Sequence, residues 1–306
     1  MVVIDRHPID LDDIEQRIQE LFEDIDFTGK LIEAKPRLSK ELFTDATWIA
    51  NYSSVDDPDA ALLRIWDATW MAMQAGSAMF LNANNKDRDI EFTIGFDDKV
   101  TAVGTGPNSS ATAGKWLAAM HFAIVCRRQD RISSLCATPV ATLRASGAMY
   151  DEYIYDWVTA LQKFFHRDDD VVRAIITAME GADPERVKIA KPELLLLLLY
   201  PPIELLYFVT QGNAEEFNTR LARAIEDHKK YWSKTADRRR DVEGFIAWGP
   251  LAMACIAHDM GMAITVETPY LPKHLILGSR ATESQFIRES RQRRESSANG
   301  QAEGDI

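Results

Sequence analysis

The pair His258-Asp259 is the combination in this chain best suited to acid–base chemistry, because a carboxylate beside an imidazole can orient it as a general base. Consecutive residues on a helix project about 100° apart, so adjacency alone does not make a dyad. A buried, hydrogen-bonded histidine near a helix end is the expectation. An enzyme built on His258, Asp259 and Glu204 needs the fold to bring distant segments into one pocket. The six histidines, His7, His121, His166, His228, His258 and His274, contain no HExxH or HxH pair, whereas zinc asks for three or four converging ligands. Asp168-Asp169-Asp170 would diverge around one turn, and an acidic helix start accounts for the run. Gly104-Thr105-Gly106-Pro107-Asn108-Ser109 lacks the third glycine and the placed lysine of a phosphate loop, and reads as a loop with an N-cap. No GxSxG elbow occurs. The expectation is therefore no catalytic residue, no metal ligand and no cofactor.

Binding chemistry is better represented. Tyr150 to Trp157, Tyr200 to Tyr207 and His228 to Trp232 mix aromatic side chains with charge. On a helix, Tyr153 and Trp157 share a face, while Asp151, Glu152 and Asp156 lie towards others. Acids that cap helices, with aromatics turned inward, are one reading. An acidic-aromatic surface for a cationic protein is the other. On the second reading the partner-binding candidates are Asp151, Glu152, Tyr155, Asp156, Glu204, Tyr231, His258 and Asp259.

The elements that must position these residues are helical. Leu11, Ile14, Ile18, Leu21, Phe22 and Ile25 form one apolar stripe on a helix starting near Asp10. Ser39 is placed to cap a second helix, and Pro58 to Ala83 is apolar around much of its circumference, as in a core helix. Ile90, Phe92, Ile94 and Phe96 alternate with polar residues and predict a strand. A turn at Asp97-Asp98-Lys99 would return it through Val100 to Val103. Beyond Gly104 to Pro107, the spacing predicts helices over 109–127, 131–137, 150–165, 171–179, 202–210, 214–232 and 245–260, the last interrupted or kinked at Gly249-Pro250. A short strand is expected at 264–268 and a last short helix at 271–277. The fold class is mainly α: stacked antiparallel helical hairpins, solenoid-like or an irregular array, with one small β-hairpin near 90–103.

The organisation that follows is acidic N-terminal helices at 1–57, packed on a helical body at 58–278, with a tail at 279–306 too poor in apolar residues to fold. Lys and Arg number 35 against 47 Asp and Glu, a net charge of −12, which disfavours nucleic acid and anionic membrane surfaces as partners. Residues 1–60 hold 15 acids and 6 bases, so most of the imbalance sits in the first fifth of the chain. Such a surface would steer a basic protein. The apolar run Leu194 to Thr210 carries Pro201, Pro202 and Glu204, and its unbroken part is too short for a bilayer. Cys126, Cys136 and Cys255 do not pair by spacing and are expected reduced, buried and inert. An acidic N-terminus without a leader pattern makes the expected location cytoplasmic.

The segments RASGAMYDEYIYDW (144–157), YPPIELLY (200–207), HKKYW (228–232) and GPLAMACIAHD (249–259), with MQAGSAMF (73–80) and YLPKHL (270–275), resemble the immunity protein 49 family over about residues 60–277. The resemblance implies a mostly α-helical protein of a bacterial polymorphic toxin system. Such a protein binds and neutralises a cognate toxin domain without catalysis, by covering it. A basic nuclease is the toxin type that net −12 would suit. Two other readings stand beside it: a helical-repeat interaction scaffold, and the helical enzyme with a dispersed site near His258 and Asp259.

Overall fold

The computed structural model describes residues 1–95 and 98–279. The chain begins in β1 (Val2–Val3), which pairs in parallel with β4 (Val266–Glu267), Val2 opposite Val266. Arg6 then bonds the Ser54 carbonyl and hydroxyl and the Pro269 carbonyl, and the His7 ring lies 2.6 Å from the Tyr270 hydroxyl. α1 (Ile14–Leu31) starts four residues after Asp10. Asp13, not Asp10, stands at its N-cap position, and Asp10 instead accepts from Arg240 through its carbonyl and one carboxylate oxygen.

Ser39 opens α2 (Ser39–Asp56) without capping it. A 3-10 turn at Pro36–Leu38 leads straight into the helix, and the Ser39 hydroxyl donates back to the Pro36 carbonyl at 2.7 Å. α3 (Leu63–Asn84) is buried along most of its length, as its composition predicts. Gly76 lets α2 and the next helix close on it: a Cβ there would stand 2.9 Å from Ala119 and 3.1 Å from Phe43. β2 (Asp89–Ile94) and β3 (Asp98–Val103) form the expected antiparallel hairpin, with Ile90 opposite Ala102 and Phe92 opposite Val100 on the buried face. The turn differs from expectation. Asp98 and Lys99 already belong to β3, and the chain bends at Gly95, where φ is +81°, with both Gly95 backbone groups held by Gln74. Phe96 and Asp97 lie outside the described residues.

α4 (Ala113–Val125) is capped by Thr112, whose hydroxyl accepts from the Lys115 N–H at 3.1 Å. It starts after the Gly104–Ser109 loop, which packs so tightly that a Cβ on Gly104 would fall on the Asn85 carbonyl oxygen. α5 (Gln129–Cys136) and α6 (Val140–Arg144) lead to the pair α7 (Glu152–His166) and α8 (Val171–Gly181). α9 (Pro192–Leu194) runs through one π turn at Leu195–Leu199 into α10 (Pro201–Thr210). This corrects the expectation for the apolar run: Pro192–Thr210 is one helical stretch of 19 residues, long and apolar enough by length and composition to cross a membrane. Here Pro201, Pro202, Ile203, Leu205, Leu206 and Val209 are buried, and α10 packs against α8, α11 and α13.

α11 (Ala214–Ser233), capped by Asn213, returns along α10. α12 (Ala236–Arg240) precedes α13 (Trp248–Asp259), and α14 (Lys273–Leu277) ends the described body. Gly249-Pro250 does not kink α13. Both stand in its first turn, where the missing proline N–H has no intrahelical partner to lose. α13 packs on α4 as well as on α10, closing the array across more than a hundred residues of sequence. The helices thus form an irregular array rather than an open solenoid. The larger of two buried clusters runs from Ile4 to Ile276 and includes Leu42 and Phe43 of the N-terminal segment, and the smaller gathers Ile18, Leu21, Ile49, Tyr52 and Phe245. The expected tail falls, from residue 280 onward, outside the described residues.

Candidate functional site

A cleft of about 700 Å3 opens between α4, the start of α7, the α9–α10 stretch, the end of α11 and the start of α13. α4 contributes Gly114, Leu117, Ala118 and His121, one face at helical spacing. α7 contributes Tyr153, Ile154 and Trp157, and α11 contributes His228, Tyr231 and Trp232. Leu194, Leu197 and Leu198 form the side wall, with Met149 and Ile189 at the exposed rim. A second hollow of about 420 Å3 lies against α2, lined by Lys40, Phe43, Trp48 and Lys115. The two adjoin at Gly114, Ala118, Tyr150, Glu243 and Trp248, and together they are termed the trough.

Two glycines and a pair of prolines set its shape. A Cβ on Gly249 would meet Pro202 at 2.8 Å, and one on Gly114 would meet the Tyr150 hydroxyl at 2.7 Å. Glycine at these places lets α13 close on α10 and Tyr150 reach Thr112, which its hydroxyl meets at 3.1 Å. Pro201 and Pro202 have no N–H, so the Leu197 and Leu198 carbonyls receive no α-type hydrogen bond. The chain responds with the π turn, in which the Tyr200 N–H donates to the Leu195 carbonyl five residues back at 2.9 Å.

Other polar groups of the wall also lack partners. Tyr153 and Trp232 are 1% and 8% exposed, and neither the phenol oxygen nor the indole N–H has a hydrogen bond among the described residues. The same holds for His121 Nε2, which is sealed from solvent although the residue as a whole is half-buried. Burial holds His121 at about 4 and lifts the Tyr153 phenol far above its usual range, so both stay neutral at pH 7. His228 is held at about 4 by burial against the opposing effect of its bond to the Gly244 carbonyl at 3.0 Å. Glu243 makes no ion pair within 4 Å among the described residues. Its partly desolvated place raises its carboxyl, Asp241 adds to that, and Lys115 opposes it.

The eight residues singled out from sequence fall in different places. Asp151 and Tyr231 line the cleft. Asp151 is a clamp: its carboxylate accepts from the Lys188, Ile189 and Ala190 N–H groups at 2.7–3.1 Å. Burial would raise its carboxyl, but these three donors hold it below the usual range. Tyr231 carries the Arg238 guanidinium 3.8 Å above its ring, and Arg238 and Lys234 both reach Glu193. Glu152 pairs with Arg144, which lies 3.8 Å over the buried Tyr155 ring. Asp156 is half-buried beside them, its carboxyl raised by desolvation and then by Glu152. Glu204 meets Arg220 at 3.4 Å. His258 is half-buried rather than buried, because it sits in the last turn of α13, with Nδ1 3.3 Å from Asp259. Asp259 in turn meets Arg127 at 3.1 Å. Neither hollow includes Glu204, His258 or Asp259, and Glu204 pairs with Arg220 while His258 and Asp259 meet each other and Arg127.

Sequence reasoning missed Leu197, Leu198, Glu243 and the unpaired wall groups. Two prolines directly after a leucine run were the available sign, since they guarantee carbonyls without helical donors. No group of three or more His, Cys, Asp or Glu that could hold a metal ion occurs among the described residues. Cys126, Cys136 and Cys255 are free thiols, each raised to about 12 by burial.

A family model described as Immunity protein 49 matches residues 57–275, a span that holds every wall residue of the first hollow. No curated protein and no solved structure matches the chain.

Proposed function

The chain belongs to the immunity protein 49 family, and from that membership we propose that it binds a cognate toxin domain of a polymorphic toxin system and neutralises it by covering its working surface, without catalysis of its own. The family match over residues 57–275 is the observation that carries this reading. Two physical features support it. Inhibition by occlusion needs a stable scaffold with a large complementary face, and the closed helical array offers a trough walled by aromatic and leucine side chains. It also gains from fast capture, which a net charge of −12 assists when the partner is basic, as a nuclease domain is. The encounter takes place in the cytoplasm, where an unneutralised toxin would act on the producing or sister cell.

The test is co-expression with the toxin domain encoded beside it. The expected result is restored growth, together with a copurifying complex of about nanomolar affinity. A toxin that kills regardless, with no complex on a sizing column, would refute the reading.

A further inference from the structure

We propose that the trough is where the toxin is gripped, and that its occupant is one uncharged, apolar segment of the toxin whose main-chain N–H and C=O groups pair with the unpartnered groups of the wall. This rests on the immunity reading and goes beyond it by naming the surface and the chemistry it accepts.

Three observations carry the assignment. The first is hydrogen-bonding capacity of both senses among the residues around one cleft. The Leu197 and Leu198 carbonyls have no helical donors, because the residues four positions on are prolines. The Trp232 indole is a donor without an acceptor, and the Tyr153 hydroxyl has no partner in either sense. A peptide backbone brings donors and acceptors together; a fatty chain brings neither, and a phosphate brings acceptors alone. The Trp232 and Tyr153 atoms are sealed from solvent, so pairing them requires the wall side chains to part slightly.

The second is charge. The chain as a whole is strongly acidic, yet the trough is not. Lys40, Lys115, Lys191 and Arg238 line it against Asp151, Glu193 and Glu243. Asp151 keeps its charge while it accepts from backbone N–H groups, and Arg238 and Glu193 pair with one another, so four positive charges stand against three negative. A nearly neutral trough is matched by an uncharged segment, and the acidic exterior by basic surface on the rest of the toxin. The third is apolar surface at the mouth: Met149 is 80% exposed and Ile189 51% exposed, next to the part-exposed Leu197 and Leu198. Large apolar side chains gathered at the mouth of an apolar cleft are what an interface centre looks like before its partner arrives.

The experiment uses the full chain and its neighbouring toxin domain, with association and dissociation followed by biolayer interferometry at low and high salt. Leu198→Asp and Ile189→Asp should each speed dissociation roughly a hundredfold with little change in association. Ile189 is a rim residue, so its variant keeps the fold, and an unchanged melting temperature checks this for both. Trp232→Phe should speed dissociation about five- to tenfold. Salt should slow association in wild type and variants alike, since steering comes from the exterior. Hydrogen exchange on the wild-type complex should show new protection over residues 189–200. Wild-type dissociation rates in both aspartate variants would overturn the assignment while leaving the immunity reading intact. Dissociation that is strongly salt-dependent and insensitive to Trp232→Phe would overturn the uncharged-segment chemistry. A self-associating wild type that Leu198→Asp makes monomeric, with toxin binding unchanged, would make a second copy the occupant and also overturn it. No complex at all with the wild type would sink the immunity reading first, and this proposal with it.

Discussion

The Arg127 corner and the trough both gather polar side chains from distant parts of the chain, and they treat them in opposite ways. At the corner, one guanidinium bonds the Val125, Leu275 and Ile276 carbonyls and the Asp259 carboxylate, fastening α14 to the ends of α4 and α13. Donors and acceptors there balance within the molecule. In the trough, Trp232, Tyr153, His121 and the carbonyls ahead of Pro201 and Pro202 do not balance. A buried polar group without a partner costs about 1–3 kcal/mol. Ser53, Asn82 and Asn84 carry unpaired buried atoms elsewhere in the body, and in the trough three such groups gather around one cleft, where each calls for an explanation.

Acid should act hardest on the trough side. His121 and His228 wall it and His7 packs on Tyr270, whose ring also meets His228. Burial, first among the causes, holds each at about 4 in the folded chain against 6.5 when free. Above pH 6.5 these rings are neutral folded or unfolded, and nothing is lost. Between 6.5 and 4 the unfolded chain takes up protons that the folded chain refuses, so stability falls as pH drops, by several kcal/mol in all. Urea melts at about pH 7 and about pH 4.5 check this, and His121→Leu should flatten part of the slope. A slope unaltered by that change would break the claim that the His121 ring is neutral and unpaired.

The next largest effect belongs to the corner. Arg127→Ala should cost about 3 kcal/mol in urea melts, because three carbonyls and a carboxylate lose one donor group, yet leave toxin affinity unchanged. Lost affinity at preserved stability would move the interface to the corner and reverse the comparison. Gly249→Val should cost about 2 kcal/mol and widen the gap between α10 and α13 by pushing α13 off Pro202. A crystal structure with the gap unchanged would show the helices to be less constrained than they look. The smallest effect is the sharpest. Tyr153→Phe should leave stability the same or raise it by up to about 1 kcal/mol, since the hydroxyl it removes has no partner. A loss of more than about 1 kcal/mol, measured in the free protein, would mean that the hydroxyl is hydrogen-bonded after all.

Periodicity made the helices legible. The stripe on α1, the all-round apolar α3 and the alternating β2 are each dictated by which residues can face a core, and each stands where its pattern puts it. Ends were harder, because they depend on partners far away in sequence: Asp10 accepts from Arg240 while Asp13 stands at the N-cap position of α1, and Ser39 follows a 3-10 turn instead of capping. The site was least legible. Asp151 and Tyr231 were singled out for an acidic-aromatic surface. They line the cleft for other reasons, one as a clamp on 188–190 and the other as the platform for Arg238. Composition cannot show whether a carboxylate is already answered from within the same molecule. His258 and Asp259 attracted notice as neighbours, yet what decides the role of Asp259 is Arg127, 132 positions earlier.

The opening strand finds its match at the far end of the chain. Arg6 and His7 reach Pro269 and Tyr270, 263 positions away. During synthesis Arg6 and His7 therefore wait until about 260 further residues have been made, and long-range closure of this kind slows folding. A newly made molecule holds β1, Arg6 and His7 untied until β4 and Tyr270 have been made to receive them.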